Sequence, residues 1–301
     1  MSPRLVAVLA VLALASPVQA ADPVDLAAFI ALPRPTPTLE IRYGEAASQA
    51  IDVFLPASPG PHPVAVLIHG GCWKNIKGAG REQLRHLGPE LTRRGIAVWS
   101  IGYRRADEPG GGYPGTFQDV GRAIDRLRSE ARRYDLDLAR TVLVGHSAGG
   151  HLALWASARQ HLPATSPLHE PEPFAPNKVI SLAGIGDLES FAKFVPVLCG
   201  PGIIERLTKM MPDGSGAAYA EVSPAALSAP ETRVVMISGV LDRLVPPYVA
   251  HDYARVMRGK SSAVPELLNL ADAGHFDLVT PGTAVWGDVR SRIEAALNPA
   301  P

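Results

Sequence analysis

Cysteine is scarce in this chain, with 2 in 301 residues, and the pair is not in CxxC spacing. No HxxxH spacing occurs either. The ligand sets that hold zinc are therefore missing, and no metal or other cofactor is expected. Net charge is also lacking, because 29 basic residues face 29 acidic ones. Without a charge excess there is no electrostatic footprint for nucleic acid or for an anionic membrane surface. Beyond residue 20 no apolar run is long enough to span a bilayer, so no integral membrane segment is expected in the mature chain. Internal repeats are absent. The run Gly110-Gly111-Gly112-Tyr113-Pro114 lacks the Lys-Ser/Thr ending of a phosphate loop and reads as a loop near the rim of a site.

What is present suits a globular protein with a sizeable core: 47% hydrophobic and 19% charged residues. This length fits one large or two small domains, and α/β folds often use it for one. Residues 1–20 stand apart. Arg4, the apolar run Leu5–Ala15 and the small-residue site Val18-Gln19-Ala20 read as a secretory signal peptide cut after Ala20, with an uncleaved N-terminal anchor as the alternative. The chain is thus expected to be exported, to the periplasm or outside the cell. In such an oxidising compartment Cys72 and Cys199 have one possible intramolecular pairing; the alternative is two buried free thiols.

Residues 21–40, rich in Pro and Ala, read as an N-terminal arm on the surface, and 41–301 as one α/β domain. Ile41–Tyr43 and Ala50–Leu55 look like a first hairpin. Short continuous apolar runs follow at Val64–Ile68, Ile96–Ile101, Thr141–Val144, Lys178–Ala183, Arg233–Ser238 and Glu266–Leu270. Helical patterns alternate with them at Arg81–Arg94, Thr116–Tyr134, Gly150–Arg159, Pro247–Arg258 and Ala284–Ala296. That alternation predicts a mostly parallel, twisted sheet of about eight strands with helices on both faces. The segment 184–229 is longer than a crossover needs, yet apolar enough to pack, and is expected to form a small helical cap.

The chemistry centres on Gly145-His146-Ser147-Ala148-Gly149, between an apolar strand and an Ala/Leu-rich helix. A Ser on so sharp a strand-to-helix turn needs small neighbours and reads as a nucleophile elbow. A hydroxyl is a poor nucleophile unless a base takes its proton and a carboxylate orients that base. In this arrangement the chain order is Ser, acid, His. Of nine histidines, His275 follows the last strand and is the candidate base. Two aspartates compete as the acid: Asp242 after the strand at 233–238, and Asp187 after the one at 178–183, which reads more simply as a helix N-cap. Asp277 is expected to cap the helix that follows it. His69-Gly70-Gly71-Cys72-Trp73 follows an apolar strand as oxyanion loops do. Its candidate amide donors are Gly71 and Cys72, with Ala148 as partner. Trp73 and His146 are candidate walls of the substrate pocket. A Cys72–Cys199 bridge requires the cap to fold over this loop.

Taken with Gly102-Tyr103-Arg104, Gly149-Gly150-His151-Leu152-Ala153, Asp242-Arg243-Leu244-Val245-Pro246 and Gly274-His275-Phe276-Asp277, these motifs resemble the α/β-hydrolase fold. The resemblance is to its esterase/lipase and kynurenine formamidase-like group, and it runs from about Ile51 to Leu297. It implies Ser147 as nucleophile, Asp242 as acid and His275 as base. The HGG-x-Trp form is similar to that of arylformamidases, which cleave N-formylkynurenine. Cys72 stands where an aromatic is often found, however, and an export signal does not suit a cytosolic substrate. The expectation is therefore an exported serine hydrolase of small carboxylic esters acting through an acyl-enzyme, with a small-molecule ester or amide as its partner. An aryl formamidase or amide hydrolase is the alternative; an acyltransferase and a non-catalytic binding protein on the same scaffold are more remote.

Overall fold

Runs of Val, Ile and Leu flanked by Gly, Pro and Asp set the strands, which fit a sheet buried on both sides. The computed structural model describes residues 22–211, 215–216, 218–227, 231–260 and 263–298; the expected signal peptide lies outside the described residues. The strands are β1 (Leu39–Arg42), β2 (Ala50–Phe54), β3 (His62–Ile68), β4 (Ala97–Ile101), β5 (Leu136–His146), β6 (Lys178–Leu182), β7 (Arg233–Gly239) and β8 (Glu266–Leu270). They form one 8-stranded sheet in the order β1-β2-β4-β3-β5-β6-β7-β8. The β1–β2 and β2–β4 pairs are antiparallel, and the rest are parallel. Successive residues Val142, Leu143 and Val144 of β5 are all buried, so both faces of the sheet are covered.

The helices are α1 (Leu26–Ile30), α2 (Leu87–Thr92), α3 (Gly115–Glu130), α4 (Ala148–Ala158), α5 (Leu188–Phe191), α6 (Val195–Leu198), α7 (Ile203–Thr208), α8 (Tyr219–Val222), α9 (Pro247–Arg258) and α10 (Trp286–Leu297). Helices α5 to α8 lie between β6 and β7, within the segment expected to form the cap, and bury Leu188, Leu207 and Val222. The helix expected over 81–94 is instead divided into a 3-10 turn at Arg81–Leu84 and α2. A continuous helix would need an N–H on Pro89 to reach the Arg85 carbonyl, and proline has none. Strand β5 starts earlier than its apolar run, because Leu136 and Asp137 pair with His62 and Pro63 ahead of a register shift.

The N-terminal arm is not confined to the surface. Asp25 caps α1 by accepting from the Ala28 N–H at 2.8 Å, and Phe29 is only 1% exposed. Burying a phenyl ring overrides the Pro/Ala-rich composition around it. The parallel strands bring their carboxyl ends to one edge, where the loops after β3, β5, β6, β7 and β8 collect. In open α/β sheets that edge is where ligands bind.

Candidate active site

Strand β5 ends at His146 and α4 begins at Ala148, leaving Ser147 at φ 56° and ψ −121°. A left-handed backbone at a non-glycine residue costs about 1–3 kcal/mol and persists only where its surroundings impose it. Here the surroundings are tight. A Cβ on Gly145 would lie 2.1 Å from the Gly149 carbonyl oxygen, and one on Gly149 would lie 2.1 Å from that of Ile68. The Ser147 N–H is held by the Leu182 carbonyl at 2.8 Å. At the first position of α4, the Ala148 N–H has no intrahelical acceptor.

The acid and base candidates meet across the loops after β7 and β8. His275 Nδ1 donates to Asp242 Oδ2 at 2.7 Å. Asp242 Oδ1 accepts from the Leu244 and Val245 amides at 2.8 and 2.9 Å. Both side chains are buried, and the fixed carboxylate leaves His275 Nε2 as the free ring nitrogen. His275 and Ser147 line one cavity. No hydrogen bond joins the hydroxyl to the ring. Asp187 is elsewhere engaged: it caps α5, accepting from the Ser190 amide at 3.2 Å and hydroxyl at 2.6 Å. Asp277 does not cap the turn it begins, which has no side-chain cap bond, because its carboxylate is engaged on the other side. Its Oδ2 accepts from the Gly274 amide at 2.8 Å and the Val24 amide at 3.2 Å, tying the histidine loop to the arm.

The loop after β3 passes the same cavity. Gly71, Cys72 and Trp73 have φ of 102°, 55° and 50°. The candidate donors Gly71, Cys72 and Ala148 all line the cavity, as do Trp73 and His146. Cys72 and Cys199 are joined by a disulfide, so the loop is covalently tied to the cap. Trp73 is fully buried and donates through Nε1 to His151 Nδ1 at 3.1 Å. His146 serves less as a wall than as a brace: its Nε2 donates to the His275 carbonyl at 3.0 Å, and the two rings lie 4.6 Å apart. Burial pushes the buried imidazoles toward neutrality, His69 down to about 3 and His151 to about 4. His146 is driven well below its ordinary value by burial first and by His275 second.

The cavity measures about 200 Å³. Its walls include residues the motifs did not signal, Leu26 from the arm and Phe191 and Leu198 from the cap. Phe29 stacks on Phe276 at 4.9 Å, so the arm backs the segment beside His275. The Gly110–Pro114 loop is not part of this lining. Tyr113 bonds the cap instead, its amide to the Arg206 carbonyl at 2.7 Å and its hydroxyl to Glu221 at 2.9 Å. Among the described residues no cluster of His, Cys, Asp and Glu could hold a metal ion, and no helix is long and apolar enough to cross a membrane.

Comparison with known proteins agrees with this architecture. The BD-FAE family model matches residues 51–255. A kynurenine formamidase of Danio rerio is 32% identical over 116 residues, 38% of this chain and 36% of that protein. Esterase LipC of Mycobacterium tuberculosis is 26% identical over 253 residues, 79% of this chain and 60% of that protein. The chain thus spans less than two thirds of the length of these relatives. Among solved structures, esterase 2 of Thermogutta terrifontis superposes with a TM-score of 0.67 at 19% identity, covering 88% of this chain and 94% of that one. A truncated carbohydrate esterase from gut microbiota gives 0.63 at 18% identity, covering 87% and 98%. The fold is therefore the α/β-hydrolase fold, with esterase-like relatives.

Proposed function

The chain belongs to the BD-FAE family, and from that membership and the site's geometry we propose that it is a serine hydrolase of small carboxylic esters. The observation that carries the reading is a buried carboxylate–imidazole pair beside a left-handed serine in one cavity. His275 Nε2 takes the proton of Ser147 Oγ as the hydroxyl attacks the ester carbonyl. Asp242 keeps the ring in the required tautomer and stabilises the imidazolium. The Gly71, Cys72 and Ala148 amides receive the oxyanion. The alcohol leaves with the proton from His275, and water then releases the acid from the acyl-enzyme. Esterase LipC, as a relative matched over 79% of this chain, supports the choice of esters.

The small apolar cavity favours short acyl chains, since pockets for larger ligands run to about 300–1,000 Å³. The disulfide supports export, because such bonds persist in oxidising compartments. The test is turnover of p-nitrophenyl acetate, butyrate and octanoate beside N-formylkynurenine. Acetate and butyrate should lead, and Ser147→Ala should lower kcat by at least about 10⁴-fold. Preferential cleavage of N-formylkynurenine would instead favour the amide-hydrolase reading, which the Danio rerio relative supports. A folded protein inert on all of them would exclude both.

A further inference from the structure

Cys72 and Trp73 are consecutive non-glycine residues with left-handed backbones. Such a pair persists only where its surroundings over-determine it. From below, the Ala106 amide donates to the Trp73 carbonyl at 2.7 Å, and the Tyr103 hydroxyl donates to that of His69 at 2.8 Å. From above, each residue from 72 to 74 is anchored to the cap or to the helix behind Ser147. Cys72 is bonded to Cys199. Lys74 Nζ donates to the Cys199 carbonyl at 2.8 Å. Trp73 Nε1 donates to His151 Nδ1 on α4 at 3.1 Å, and His151 Nε2 donates to the Val222 carbonyl of α8 at 2.8 Å. An indole nitrogen is a donor only, so His151 is the neutral tautomer with its proton on Nε2. Both rings are fully buried.

Resting on the ester-hydrolase reading above, we propose that Cys199 and His151 are positioning residues: they clamp the loop so that the Gly71 and Cys72 amides converge with that of Ala148 on the oxyanion. Neither donates to substrate. Released from the clamp, the loop relaxes toward ordinary backbone angles and turns the Cys72 amide away, while the apolar walls outside the loop, Leu26, Phe191, Leu244 and Phe276, stay in place. Oxyanion donors act on charge that develops in the transition state. The clamp therefore governs kcat and leaves KM nearly untouched.

The test uses the full-length mature protein with p-nitrophenyl acetate. Reduction of the disulfide, with the fold checked by circular dichroism, should lower kcat by roughly 10- to 100-fold, part of the 10²–10³ lost when a donor is removed outright. KM should stay within about 2-fold, as expected when only a transition-state interaction is lost. Reoxidation should restore the rate. At full oxidation His151→Leu should show the same kcat loss, and His151→Asn, which keeps an acceptor for Trp73, should recover most of it. Affinity for a trifluoromethyl ketone, which forms an oxyanion on Ser147, should fall in step with kcat. The clamp is overturned if the reduced, folded protein keeps its kcat or if the loss lies in KM. Unchanged ketone binding in the slowed protein also overturns it. Should reduction unfold the chain, the His151 variants decide, and a His151→Asn protein as slow as His151→Leu overturns the clamp. An oxidised wild-type protein inactive on every ester sinks the hydrolase reading itself, a result distinct from an active protein indifferent to both changes.

Discussion

The two oxygens of the Asp242 carboxylate have different tasks: Oδ1 is fixed by the Leu244 and Val245 amides, while Oδ2 holds the His275 ring. The backbone of its own loop thus fixes the carboxylate before the histidine is engaged. Asp242→Asn turns an acceptor into an amide and allows the wrong imidazole tautomer. The expected outcome is a kcat loss of about 10³–10⁴ with the fold intact. Asp187→Asn, whose residue only caps α5, should stay within about 2-fold, because asparagine caps as well as aspartate. Rates of the two variants on one ester, measured side by side, decide which aspartate is the acid; equal losses would refute the assignment. Strand position alone left these two residues in competition, because each follows a parallel strand, and the family resemblance singled out Asp242. What separates them is a hydrogen bond made by 33 residues' separation in the chain, which no local pattern contains.

Among the elements, α9 is found at the limits expected for it, Pro247–Arg258. Proline at its first position and a clear apolar stripe both act locally. Strands β6, β7 and β8 were legible for the same kind of reason, being short apolar runs bounded by loop residues. The N-terminal arm was not. Phe29 is a lone aromatic in Pro/Ala-rich surroundings, and only its partners Phe276 and His86 show that it belongs inside. Leu26, a cavity wall on the same helix, was missed with it. Phe29→Ala should therefore cost about 3–5 kcal/mol, the usual range for emptying a buried phenyl site. A urea titration measures this. A loss below about 1 kcal/mol would mean that the arm docks loosely and that Leu26 is not held at the cavity.

Over the whole molecule, the buried neutral histidines make stability depend on pH. His69 and His151 have values lowered to about 3 and about 4, and His146 is driven well below its ordinary value by burial. Unfolded histidines bind protons below about 6.5, whereas these folded ones do not. The unfolded state therefore gains protons as pH falls, and the folded state loses stability between about pH 6.5 and pH 4. Each such group contributes up to about 1.4 kcal/mol per pH unit within that window. Urea midpoints should drop clearly from pH 7 to pH 5, and a flat profile would contradict the burial of these rings. The disulfide has a mechanical consequence as well. Cys72 and Cys199 stand 127 positions apart, and the ring they close contains β4, β5, β6 and Ser147. Pulled from its two ends, the chain would carry no tension through the strand that presents Ser147. Its fully stretched length would be shorter by about 440 Å than that of the reduced chain, so β4, β5 and β6 would be shielded from an applied force while the strands outside the ring bear it.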